Sequence, residues 1–111
     1  MSDDVKARIE ATIQSGPVVI FMKGSPSLPQ CGFSATAAEC LKRAGAEKLV
    51  HFDVLSDPAV RQGIKEYTGW PTIPQIFLRG EFIGGCDIVR EMYESGELQK
   101  RIAEVQAAAE S

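Results

Sequence analysis

The chain has 111 residues, enough for one core and too few for two, so residues 1–111 read as a single domain. Hydrophobic residues make up 44% and charged residues 24%, a globular balance that argues against disorder. Twelve Lys and Arg against fifteen Asp and Glu leave a formal net charge of -3, which removes the electrostatic case for nucleic acid as the main partner. No apolar run approaches the ~18 residues of a membrane span. Met1-Ser2-Asp3-Asp4 is acidic and, as it stands, neither a signal nor a transit peptide. Three cysteines without framework spacing point to a reducing compartment, which is the cytoplasm or, with a targeting segment removed, an organelle.

Asp3 to Ser15 reads as an amphipathic helix, with Ser2 or Asp3 as cap and Val5, Ile9 and Ile13 on one face. Gly16-Pro17 stops it. Val18–Met22 is apolar without alternation, the pattern of a strand covered on both faces. The stretch from Lys23 to Gln30 contains two prolines and a glycine and reads as an irregular loop. A second helix is expected from about Phe33 to Ala44, ending at Gly45.

This places Cys31 at the N-terminus of a helix, where unpaired N–H groups and the dipole favour an anion. Lys23 is expected nearby, since the loop returns past the end of its strand. Both influences lower a thiol pKa, and a thiolate is at once a nucleophile and a soft metal ligand. A buried cysteine that merely begins a helix is the bland alternative. Ser34 stands where a Cys-x-x-Cys motif has its second thiol, and serine cannot resolve a mixed disulfide. Cys40, nine residues on, falls about half a turn out of phase with Cys31 and reads as filler.

Leu49–Leu55 reads as a second strand, with Val50, Phe52 and Val54 on one face and Leu49, His51 and Asp53 on the other. His51 is the only histidine, so a conventional zinc or iron site has no support. Asp57-Pro58 starts a helix that runs to about Tyr67 and ends at Gly69. Arg61 and Lys65 share one face of it, as a solvated stripe or an anion site. Trp70-Pro71-Thr72-Ile73-Pro74-Gln75 has two prolines three apart, so Pro74 reads as a strand start. A cis Ile73–Pro74 bond would offer the Ile73 backbone to an extended peptide.

Ile76–Leu78 and Phe82-Ile83 read as a hairpin around Arg79-Gly80-Glu81. Gly84-Gly85 then allows close approach of a ligand to the backbone, with Asp87 as the expected cap of a helix over Ile88–Glu94. The N–H groups there are an alternative carboxylate site. Glu97–Ala109 is the last helix. The order α-β-α-β-α-β-β-α-α fits a small thioredoxin-like α/β sandwich, with a parallel unit followed by a hairpin.

Four motifs occur in order: Lys23-Gly24-Ser25-Pro26, Pro29-Gln30-Cys31-Gly32-Phe33-Ser34, Trp70-Pro71-Thr72-Ile73-Pro74-Gln75 and Gly84-Gly85-Cys86-Asp87. In these the chain resembles the monothiol glutaredoxins of the Cys-Gly-Phe-Ser class, over about Val5 to Ile102. The resemblance implies a glutaredoxin fold, with a four-stranded mixed sheet flanked by helices. It also implies a glutathione site. There Cys31 meets the glutathione sulfur and Lys23 and Arg61 pair with the glycine carboxylate. Ile73 bonds the tripeptide backbone, and Cys86 and Asp87 hold the γ-glutamyl end.

The implied function is carriage of a 2Fe-2S cluster. Cys31 and glutathione would ligate it in a cluster-bridged homodimer, with a BolA-type protein and apo iron–sulfur proteins as partners. The alternative is glutathione-dependent thiol oxidoreduction, in which Cys31 is the nucleophile. The family's loop extension before Cys31 and the missing second cysteine favour weak redox turnover. Whether Cys86 joins Cys31 in a disulfide under oxidation depends on the pocket bringing them close.

Overall fold

The computed structural model describes residues 1–110. The elements are α1 (Asp3–Ile13), β1 (Val18–Met22), α2 (Gly32–Arg43), β2 (Leu49–Asp53), α3 (Pro58–Thr68), β3 (Gln75–Leu78), β4 (Glu81–Gly84), α4 (Cys86–Ser95) and α5 (Glu97–Glu110). They form one four-stranded sheet in the order β2-β1-β3-β4. β1 pairs parallel with β2 and antiparallel with β3, and β4 closes the hairpin. This is the expected mixed sheet of the thioredoxin-like fold.

All five residues of β1 are buried, because the strand is central and both faces are covered. Side chains alternate across the sheet. Val18, Ile20 and Met22 pack under α2, α4 and α5 with Leu41, Val89, Leu98 and Ile102. Val19 and Phe21 pack under α1 and α3 with Ile9, Ile13, Val60, Ile64 and Phe77. Phe21 stacks on Phe52 with ring centroids 5.8 Å apart and meets the edge of Phe77 at 5.7 Å. The sheet is thus the middle of three layers, and its β1 and β3 ends converge on one edge of the molecule.

Local chemistry sets the boundaries. The Ser2 hydroxyl caps α1 by accepting the Val5 N–H, and the Asp57 carboxylate caps α3 by accepting the Val60 N–H, with Pro58 at the first helical position. Gly69 ends α3 in the left-handed conformation. At two boundaries the chain departs from the sequence expectation. β2 stops at Asp53 rather than Leu55, because the Asp53 carboxylate accepts the Leu55 N–H at 2.9 Å and turns Val54–Ser56 into a 3-10 turn. α4 begins at Cys86 rather than Ile88; Gly85 is its cap residue, and the exposed Asp87 carboxylate faces Arg90 at 3.4 Å instead of capping. The loop after β1 has no helix or strand, as expected, and is closed by one isolated bridge between Gly24 and Pro29.

Candidate functional site

The site begins where β1 ends. Lys23 O accepts the Gln30 N–H at 2.9 Å, and Ser25 and Leu28 exchange two backbone bonds, so the 23–30 loop is a closed ring. The ring is pinned from below by Asp53, whose carboxylate accepts the Gly24 N–H at 2.9 Å. Only glycine fits at position 24: its φ is +87°, and a Cβ there would stand 2.5 Å from Leu28 O and 2.8 Å from Gln30 N. The ring delivers Cys31 to the first turn of α2 as its N-cap residue.

Cys31 is half-buried, and its thiol pKa lies below the ordinary value. The backbone N–H of Ser34 does most of this. The Phe33 N–H, the Lys23 charge and the Ser34 hydroxyl add to it, against a partial desolvation. These groups favour the thiolate, although the sulfur makes no hydrogen bond that caps the helix. Ser34 is fully buried, and its hydroxyl oxygen accepts the Lys23 N–H at 3.1 Å. Its own proton is then available to the Cys31 sulfur.

Two adjoining hollows meet beside this thiol. One is lined by Lys23, Cys31, Phe33, Arg61, Lys65, Pro71, Thr72 and Ile73. The other is lined by Phe33, Trp70, Thr72, Ile73, Pro74, Gly85, Cys86 and Asp87. Phe33, Thr72 and Ile73 belong to both, so the two form one groove. All six residues singled out from the sequence border it: Lys23, Cys31, Arg61 and Ile73 at one end, Cys86 and Asp87 at the other. Lys23, Arg61 and Lys65 have no carboxylate within ion-pair distance among the described residues, so this end presents three uncompensated cations. The Ile73–Pro74 peptide is cis. No group of the described residues bonds the Ile73 backbone.

The double glycine serves the protein's own packing. A Cβ on Gly84, whose φ is +134°, would stand 2.8 Å from the Ile88 side chain. A Cβ on Gly85 would stand 3.0 Å from Trp70 Nε1. Room is thus made for Ile88 and the indole, and Gly85 contributes only a strip of the groove wall. Burial pushes the Cys86 thiol above its ordinary range, and the neighbouring Asp87 charge adds to this. Cys40 is buried on α2, and burial likewise raises its thiol. Thr72, Trp70 and Phe33 line the groove without having been assigned a role from the sequence, and Lys65 was read only together with Arg61. For Lys65, its spacing of four from Arg61 was the available signal.

A thiol at the start of the helix after β1, sharing a groove with the residue that precedes a cis proline before β3, defines a thioredoxin-like protein whose groove sets three cations beside the thiol. Comparison with known proteins narrows this. The glutaredoxin family model matches residues 18–83. The mitochondrial monothiol glutaredoxin-5 of Saccharomyces cerevisiae is 47% identical over 109 residues, covering 96% of this chain and 73% of the yeast protein. The solution structure of reduced apo GrxS14 from poplar superposes with a TM-score of 0.80 at 44% identity, covering 93% of this chain and 94% of the poplar chain. A buckwheat glutaredoxin–glutathione complex superposes with a TM-score of 0.81 at 25% identity, covering 96% and 97% of the two chains. The chain belongs to the glutaredoxin family, and within it to the monothiol glutaredoxins related to the Cys-Gly-Phe-Ser class. Its members are capable of glutathione-linked redox chemistry.

Proposed function

We propose that this single domain, residues 1–111, binds a 2Fe-2S cluster with the help of glutathione and passes it on. The observation that carries this reading is the lone Cys31 thiol, activated and partly open, at the end of a groove bordered by three unpaired cations. A two-iron cluster takes four thiolates. Cys40 and Cys86 are buried and their thiols are raised, so one chain offers a single exposed thiolate. Two chains and two glutathiones complete the set, which makes the carrier a cluster-bridged homodimer.

Within each half, Lys23 and Arg61 pair with the glycine carboxylate, and Lys65 lies beside them. The free Ile73 N–H and C=O bond the tripeptide backbone. The first N–H groups of α4, at Cys86 and Asp87, receive the γ-glutamyl carboxylate, and the Asp87 carboxylate receives its amine. The buckwheat complex supports glutathione as the ligand of a groove on this fold. Cluster, protein and glutathione meet at an open edge, so an apo iron–sulfur protein or a BolA-type protein can take the place of one copy. The compartment is a reducing one, the cytoplasm or an organelle; the yeast relative is by name mitochondrial.

The lowered Cys31 thiol also supports a second reading. The thiolate attacks the glutathione sulfur of a protein–glutathione disulfide, the protein thiolate leaves, and a second glutathione thiolate then releases Cys31 as glutathione disulfide forms. Ser34 supplies no resolving thiol, so this turnover is slow.

Anaerobic reconstitution with iron, sulfide and glutathione separates the two. The carrier gives a coloured dimer that requires glutathione and returns to a colourless monomer on cluster loss, and Cys31→Ser abolishes it. A colourless monomer with and without glutathione, or a Cys31→Ser protein that still holds cluster, refutes the carrier reading.

A further inference from the structure

Gln75, the first residue of β3, has a fully buried side chain. Its amide donates to Trp70 O at 2.9 Å and to Thr72 O at 3.2 Å, and its carbonyl oxygen accepts the Thr68 hydroxyl at 2.8 Å. That hydroxyl in turn accepts the Trp70 N–H at 3.1 Å. Two donors and an acceptor on one rigid group are what only a primary amide side chain supplies. Both donors are spent on the segment between α3 and β3, and the acceptor on the last residue of α3. That segment holds two prolines, lies outside the sheet, and among the described residues has no other hydrogen bond to its Trp70 and Thr72 carbonyls.

The segment is also the wall that the two hollows share, through Thr72 and Ile73. At its start the Trp70 ring meets Phe82, with centroids 5.8 Å apart, and lies against Gly85, next to Cys86. A shift of this segment therefore moves the Ile73 backbone relative to Cys31 and the indole relative to the Cys86–Asp87 corner. We infer that Gln75 is a positioning residue for ligand binding: through Thr68, Trp70 and Thr72 it fixes both ends of the groove at the spacing of one extended tripeptide. The inference rests on the reading of the groove as a glutathione site.

The test uses S-methylglutathione, which has no titrating thiol. Binding is followed by calorimetry and by the fluorescence of Trp70, the only tryptophan. Gln75→Met keeps length and loses every hydrogen bond; its affinity falls about tenfold or more, as expected for a displaced backbone contact. Thr68→Val loses the bonds to Gln75 Oε1 and from the Trp70 N–H but keeps both donations of the Gln75 amide, and weakens binding less. Gln75→Glu keeps the shape but aims a carboxyl group at two carbonyl oxygens. Buried there it binds ligand as the protonated acid, so its affinity falls between pH 6 and pH 8 while that of the wild type stays level.

The pH profile of Cys31 alkylation is unchanged in all three, because Gln75 does not touch the thiol. A folded Gln75→Met protein with wild-type affinity and only a lower melting temperature overturns the inference and leaves the groove reading intact. If Gln75→Met does not fold, a flat pH response of Gln75→Glu together with unaltered binding by Thr68→Val does the same. Wild-type protein that binds no S-methylglutathione overturns both.

Discussion

Ser34→Ala separates two jobs that one hydroxyl does. Among the described residues its oxygen is the only acceptor for the Lys23 N–H, at 3.1 Å, and it sits in full burial. Removal leaves a partly buried donor without a partner, which costs about 1–3 kcal/mol. With 111 residues, and about 2 cal/mol/K of unfolding entropy per residue, each kcal/mol corresponds to about 4 °C in melting temperature. The expected drop is therefore about 4–13 °C. The hydroxyl is also the smallest of the influences that lower the Cys31 thiol, behind the Ser34 N–H, the Phe33 N–H and the Lys23 charge. So the thiol pKa of Ser34→Ala rises, but by less than that of Lys23→Ala. Thermal melts at pH 7 and the pH dependence of iodoacetamide alkylation read the two effects independently. A melting temperature within about 2 °C of wild type refutes the argument that the hydroxyl holds the Lys23 backbone.

Gly24→Ala drives a Cβ onto Leu28 O and Gln30 N and forces a non-glycine residue to φ +87°. It destabilises by about 1–3 kcal/mol in denaturant titration and lowers glutathione-linked activity, because Lys23 and Cys31 sit at the two ends of the strained ring. Asp57→Ala removes both the α3 cap and the pairing with Arg8 on α1, so it melts lower than Arg8→Ala, which removes only the pairing. Cys31 gives a pH signature. Its thiol pKa is depressed on folding, so the thiolate contributes stability that is fully present above the unfolded value, near 9.0, and is lost as pH falls through the folded value. Wild type minus Cys31→Ser, measured by urea titration, should grow with pH across that window; a difference that shrinks means the folded thiol is raised instead.

Periodicity and punctuation carried most of the architecture. The unbroken apolar run of Val18–Met22 marked the central strand, Asp57-Pro58 and Gly69 bracketed α3, and the prolines at 71 and 74 marked the segment before β3. The thiol at the start of α2 was legible from the loop before it and the apolar pattern after it. What stayed hidden has one physical character: a polar side chain that reaches the backbone of a distant segment. Asp53 looked like one solvent-facing residue of a longer strand, yet it ends β2 and pins Gly24 across the site. Gln75 followed the expected strand start at Pro74 with no role of its own, yet it is a fully buried amide. Such bonds leave no period in the sequence. The two glycines at 84 and 85 did leave a signal, but composition cannot say which body approaches a bare backbone; here Ile88 and the Trp70 indole fill the space.

The order in which the groove's parts occur along the chain has a consequence for biosynthesis. Cys31 belongs to the first third of the polypeptide, whereas Cys86 and Asp87 lie past β4, the last strand of the sheet. If the groove takes a tripeptide as proposed, a chain still being translated exposes its thiol while the far wall is unmade and holds the ligand only by one end. Under that reading full engagement waits on the far wall, and a ligand that spans the groove discriminates chains that have built α4 from chains that have not, without any separate inspection step.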